Sequence, residues 1–149
     1  MNPGQEAFET SSLLDRYLVG LDDDEIDDAW VRGLFTEDAA VVFPISRHDG
    51  IEGLAGYHRA SLEAFAATQH HGSPAVVTVD EDGEHATFRA NVLTTHVHHP
   101  GAPGEPLFQA GTLASGEARR GPEGWRMSVL SFQVLWIRGT PPNGAEKAR

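Results

Sequence analysis

The stretch His85-Ala86-Thr87-Phe88-Arg89-Ala90-Asn91-Val92-Leu93-Thr94-Thr95-His96-Val97-His98-His99 decides the fold. Side chains on an extended strand alternate between faces, so Ala86, Phe88, Ala90, Val92, Thr94, His96 and His98 share one face. Thr87, Arg89, Asn91, Leu93, Thr95 and Val97 hold the other. The first set is the apolar one and predicts the side turned to a core or cavity. His96 then stands at the inner end of an apolar stripe. Upstream, Val76-Val77-Thr78-Val79 runs into Asp80-Glu81-Asp82-Gly83, a hairpin turn with glycine at the left-handed position. Downstream, residues 100–104 are a Pro/Gly loop, 107–119 a second long strand, 121–124 a turn, and 125–138 the last strand. Residues 139–149 read as a frayed Pro/Gly/charged tail.

The pattern before residue 68 is helical. Leu14, Tyr17, Leu18 and Leu21 recur at i, i+3, i+4 and i+7 and make one apolar face. Thr10, Ser11 and Ser12 offer caps or first-turn residues. Gly20 and Asp22-Asp23-Asp24 close that helix, and the same aspartates are expected to open the next, since acids oppose the positive helix end. Ile26, Trp30 and Leu34, with Phe35 beside them, form a second stripe. Residues 35–38 read as a loop, 39–43 as a short strand ended by Pro44, and 47–50 as a turn. Residues 51–67 carry Leu54, Tyr57 or His58, Leu62 and Phe65, a third helix. Helices followed by an antiparallel meander define an α+β chain, expected as one domain over residues 1–138. Three helices on one face of a curved antiparallel sheet enclose a cone-shaped α+β barrel with an apolar mouth, a usual place for a small molecule.

Composition narrows the function. The chain has 149 residues, 11 basic and 22 acidic side chains, and a formal net charge of −11. A domain of this length buries about 68–70% of its unfolded surface, enough for a core with an internal pocket. The acidic balance argues against nucleic acid, whose phosphates need basic surface, and against an anionic membrane. No apolar run is long enough to span a bilayer. The opening residues carry no secretory pattern, so a cytoplasmic location is expected. Cysteine is absent, which excludes disulfides, thiolate metal sites and a Cys nucleophile. Lysine occurs once, at Lys147, which argues against Schiff-base chemistry.

Three polar positions could carry chemistry. His96 is either a core histidine bonded to a neighbour or a general acid/base, imidazole being the side chain that titrates near neutral pH. In Thr68-Gln69-His70-His71, one of two adjacent histidines must point inward if the segment is extended, and the residues alone leave open which. Asp22 ends the first helix beside its apolar face. It is either a cap within a solvated acidic run or a carboxylate able to orient a histidine.

Several pieces together resemble the nuclear transport factor 2-like superfamily, in particular its SnoaL-like polyketide cyclase and scytalone dehydratase branch. Residues 17–22 followed by Ile26-Asp27 and by 34–39 resemble its opening helix pair and Phe-x-x-Asp-Ala turn. Gly53 and the helix after it resemble the start of its third helix. Thr68-Gln69-His70 and the Asp-x-x-Gly turn of 76–86 resemble its Thr-x-His segment and following hairpin. Gly124-Trp125-Arg126-Met127 resembles its closing strand. The likeness covers about residues 12–138 and implies the cone-shaped fold.

It also implies a site. The dehydratase branch pairs an aspartate at the end of the first helix with a strand histidine, and a second histidine acts on substrate. Residue by residue these fall on Asp22, His70 and His96. The likeness favours His70 over His71 and implies a cofactor-independent cyclase, dehydratase or isomerase of secondary metabolism, acting on a hydrophobic polyketide-like or polycyclic substrate. His96 is expected as the principal acid/base and His70 as the second group. Tyr17 and Tyr57 are expected as hydrogen-bond donors to a substrate oxygen, and Phe43, Phe88 and Trp136 as cavity walls. The chain departs from the branch at Ser73-Pro74, where a side-chain amide is usual, and has two tyrosines in all. Superfamily members commonly form homodimers through the outer sheet face, which the mixed set Arg89, Asn91, Leu93, Thr95 and Val97 fits.

Competing readings are weaker. His96-Val97-His98 with Glu105 resembles the His-x-His…Glu metal motif of cupins, but the seven-residue gap crosses a Pro/Gly loop and no histidine follows His99. No metal is expected. Ala114-Ser115-Gly116 lacks the first glycine of a serine elbow. A non-catalytic ligand-binding or dimerisation module of the same fold is the alternative.

Overall fold

The computed structural model describes residues 2–23 and 25–142. Asp24, Lys147 and the expected tail from residue 143 onward lie outside the described residues. The first helix, α1 (Pro3–Leu21), starts earlier than its hydroxyl residues suggested: Asn2 is the N-cap, its side chain accepts from the Gln5 N–H, and Pro3 fills the first turn. Thr10 is inside the helix and fully buried. Leu13, Leu14, Tyr17, Leu18 and Leu21 form the buried face. Asp22 is the C-cap of this helix and does not open the next. That role belongs to Asp27, whose carboxylate accepts from the Trp30 N–H at 2.9 Å, starting α2 (Asp28–Leu34).

Residues 35–38 are strand rather than loop. They begin β1 (Phe35–Val42), which pairs antiparallel with a short β2 (Arg47–Asp49) where a turn was expected. The polar run Thr36-Glu37-Asp38 hides this strand, because its partner is the distant C-terminal strand, paired in parallel with an irregular register. The third helix, α3 (Leu54–Leu62), is shorter than its pattern and ends before Phe65. The segment after it is β3 (Ala67–Gly72).

The meander follows as read: β4 (Val76–Val79), β5 (His85–Val97), β6 (Leu107–Gly121) and β7 (Gly124–Gly139). Gly83 takes φ +69° in the β4–β5 turn, the left-handed region that glycine enters without strain. The strands form one seven-stranded sheet in the order β2-β1-β7-β6-β5-β3, with β4 also paired to β5. The sheet is curved and unclosed, and the helices supply the other wall of the cone. Ala86, Phe88, Ala90, Val92 and Thr94 are buried on the concave face, as the alternation predicts. Among the described residues no helix is long and apolar enough to cross a membrane.

The base of the cone is filled with rings. Tyr17 stacks on Trp30 and on Phe132, at centroid separations of 5.6 and 6.3 Å, and meets Phe35 edge-on. Phe43 lies parallel to Phe132 at 5.1 Å. Offset and edge-to-face pairs of this kind add to plain area burial.

Candidate active site

The site forms where the end of α1 meets the rim of the sheet. As C-cap, Asp22 projects its carboxylate at β3. One oxygen accepts from Thr68 Oγ1 at 2.9 Å and from His70 Nδ1 at 2.7 Å; the other accepts from the His70 backbone N–H at 2.8 Å. Three donors from a single strand hold one carboxylate, so its position is tightly defined. A carboxylate can only accept, so the Nδ1 of neutral His70 carries the proton and Nε2 keeps its lone pair. The His70 side chain is 10% exposed and that of Asp22 22%. Burial lowers the pKa of His70, while the hydrogen bond and charge of Asp22 work in the opposite direction.

Register settles the ambiguity between adjacent histidines. His70 lies opposite Thr94 and His71 opposite Leu93. Thr94 is on the concave face and Leu93 on the convex one, so His70 turns inward and His71 outward. Thr68 lies opposite His96, which places Thr68, His70, Thr94 and His96 on one concave patch.

His96 is half-buried. Its Nδ1 donates to the Phe108 carbonyl at 2.8 Å, so Nε2 again bears the lone pair. Burial pulls its pKa down to about 4, with the nearby His70 acting in the same direction and Asp22 against it. At neutral pH it is an uncharged acceptor.

The expected substrate-binding residues divide. Tyr17 is fully buried, and its hydroxyl donates to His58 Nε2 at 2.9 Å, because the His58 Nδ1–H is already committed to the Leu54 carbonyl. That hydroxyl is not free for a substrate, and burial raises its pKa strongly. Tyr57 lies half-buried beside Phe43 and His48, its hydroxyl 2.5 Å from Ser46 Oγ. Phe43 faces the ring block. Phe88 is 1% exposed and is core, its ring under Gly116, not a cavity wall.

Trp136 stands on the opposite face from the one expected. Leu135 is an extra residue between the pairs Gly111↔Trp136 and Thr112↔Val134, and this bulge turns Trp136 outward across Gly111. Its indole lies where a Cβ at Gly111 would be.

The sequence also offered no sign of two concavities outside the cone. One, of about 630 Å³, lies between α1 and α2 and includes Asp15, Val19, Asp23 and Trp30. The other, of about 510 Å³, lies beside Asp38, Arg47 and Arg119. Asp22, His70 and His96 line neither. The ring block fills the cone's base as a floor, and the three polar groups lie above it at the rim of the sheet. His58 was also missed as a polar residue in that floor; its place on the apolar stripe of the third helix was the available signal. Among the described residues the one close group of metal-type ligands is Asp80, Asp82 and His85, exposed on the β4–β5 turn. His96 and His98 do not form one; each binds a backbone carbonyl instead.

The matching family model is the SnoaL-like domain, over residues 9–131, and the chain belongs to that family. Its fold is shared with Kfla4162 from Kribbella flavida, at 24% identity and a TM-score of 0.83, covering 92% of this chain and 95% of that one. An NTF2-like superfamily protein from Salmonella enterica gives 16% identity and a TM-score of 0.77, covering 96% and 98%. The hexachlorocyclohexane dehydrochlorinase LinA-type3 from Novosphingobium barchaimii gives 16% and 0.75, covering 93% and 95%. At these identities the likeness concerns the fold. A comparison with curated proteins finds no match.

Proposed function

We propose that the protein is a cofactor-independent acid/base enzyme of lyase or isomerase type, acting on a hydrophobic polyketide-like or polycyclic metabolite by dehydration, cyclisation or isomerisation. The observation that carries this reading is the Asp22–His70 pair. A histidine whose Nδ1–H is held by a carboxylate presents Nε2 as a base, and the carboxylate stabilises the imidazolium that forms when a proton is taken. The chain itself therefore supplies the base for removing a proton from carbon. An elimination of the kind named for LinA needs such a base.

His70 takes the principal role and His96 the second, the reverse of the order expected from the sequence. His96 lacks a carboxylate partner and is held neutral, which suits it to accept a hydrogen bond from a substrate hydroxyl. His96 takes up a proton only when one is relayed to it.

The test is turnover of a panel of hydroxylated polycyclic ketones, followed by absorbance. His70→Gln is expected to abolish any activity found, and His96→Ala to reduce it severely with the fold intact. Full activity in both variants would remove the reading.

A binding or dimerisation module is the second reading, favoured by the apolar side chains exposed on the convex face. It predicts ligand affinity without turnover, and unchanged affinity in His70→Gln. On either reading the convex face is a candidate homodimer surface, since Leu93, Val97, Leu107, Leu135 and Trp136 are exposed there.

A further inference from the structure

Phe65 follows the last turn of α3 and leads into β3. Its ring centroid lies 4.4 Å from the His96 imidazole, tilted by 39°. Phe108, the cross-strand neighbour, stacks on the same imidazole at 4.9 Å and 26°. The two phenyl rings are themselves nearly parallel, 16° apart in plane with centroids 6.4 Å apart. Both belong to different elements from His96, one to the α3–β3 loop and one to β6. The Phe108 residue that supplies a ring also supplies the carbonyl that fixes His96 Nδ1–H.

We propose that Phe65 is a positioning residue: its ring packs on the His96 imidazole from a different direction than Phe108, holding Nδ1–H on the Phe108 carbonyl and leaving Nε2 as the acceptor beside His70. Two physical effects work together. Two apolar rings packed on the imidazole displace water from it, which disfavours its charged form. Packing against two rings also restricts rotation about χ1 and χ2, so the bond to the Phe108 carbonyl persists. The titratable groups around His96 are Asp22 from the end of α1, His70 from β3 and His98 from its own strand. Phe65 is the neighbour from the α3–β3 loop and brings no charge of its own. Removing its ring opens the imidazole to water on one side while leaving these charges in place.

The inference rests on His96 belonging to the site, which the His96→Ala turnover assay tests by itself. The positioning role is read instead on ligand-free protein, by NMR titration of the eight histidines and by the nitrogen shifts that report the tautomer. In the unmodified chain His96 is expected to stay neutral at pH 6 with the proton on Nδ1. In Phe65→Ala its midpoint is expected to rise by about 1–2 pH units toward the ordinary imidazole value, with mixed tautomers. The His70 midpoint should hold. Phe65→Tyr, which restores a ring, should return His96 to its original behaviour. Should Phe65→Ala lose a dispersed spectrum, Phe65→Val opens the same side by less volume and is read the same way. A His96 midpoint and tautomer unmoved by either truncation would overturn the proposal. A role confined to general stability would lower the melting temperature without singling out His96.

Discussion

Two histidines in this molecule are held by the same device, and the proposed function gives them opposite roles. His58 in the floor and His70 at the rim each have Nδ1–H fixed by an oxygen, and each has its pKa pushed down by burial. The oxygen on His58 is a neutral carbonyl, and its Nε2 is occupied by the Tyr17 hydroxyl. The oxygen on His70 is a carboxylate, and among the described residues its Nε2 has no hydrogen-bond partner. The difference teaches that burial alone makes a structural histidine. A base requires a lone pair left open and a negative charge behind the ring.

The sharpest way to break this contrast is to exchange losses. His70→Gln should cost about 10²–10⁴-fold in turnover with little change in melting temperature. His58→Leu should do the reverse. It strands the Tyr17 hydroxyl in an apolar floor, at about 1–3 kcal/mol, and leaves turnover per folded molecule intact. Kinetics with calorimetry on both variants decides it; a large activity loss in His58→Leu would erase the distinction.

The pH dependence gives a second cut. His58 and His96 have folded-state pKa values of about 4, below the unfolded value near 6.5. The unfolded chain therefore binds more protons between these limits. Stability should be full above pH 6.5 and fall as the pH drops toward 4, by up to about 3 kcal/mol for each histidine. Denaturant midpoints at pH 7 and pH 5 check the sign. His58→Leu should flatten the slope.

Smaller effects probe the support of the rim. Thr68→Val removes one of the three donors to Asp22 and should cost about 0.5–1.5 kcal/mol of stability. Turnover should fall while the His70 tautomer is retained. The least effect on the folded monomer is expected from Trp136→Ser on the convex face. Light scattering should instead show a lower mass if that face joins two copies; an unchanged dimer would place the interface elsewhere.

Much of this was legible because it depends on local periodicity. The alternation of residues 85–99 named the concave face of β5 correctly, and the i, i+3, i+4, i+7 spacing named the buried face of α1. The family likeness brought Asp22, His70 and His96 forward, and the register shows how His70 rather than His71 turns inward. Other features depended on partners far away in the chain. Phe35-Thr36-Glu37-Asp38 opens a strand whose partners in β7, Met127 and residues 129–131, lie far along the chain. Trp136 was expected as a cavity wall, and the bulge at Leu135 turns it to the convex face instead. The state of Tyr17 could not be read at all, since its partner His58 lies 41 residues away.

By itself, then, the sequence determined the α+β class, the meander, the absence of thiol chemistry and the residue types available for proton transfer. These follow from composition and from repeats of 2 and 3.6 residues, which act over short range. Only the tertiary structure decided which imidazole receives the carboxylate, which is spent inside the floor and which packs against Phe65 and Phe108. Hydrogen-bond partners and solvent access are set by how distant segments meet, and no local pattern encodes that meeting.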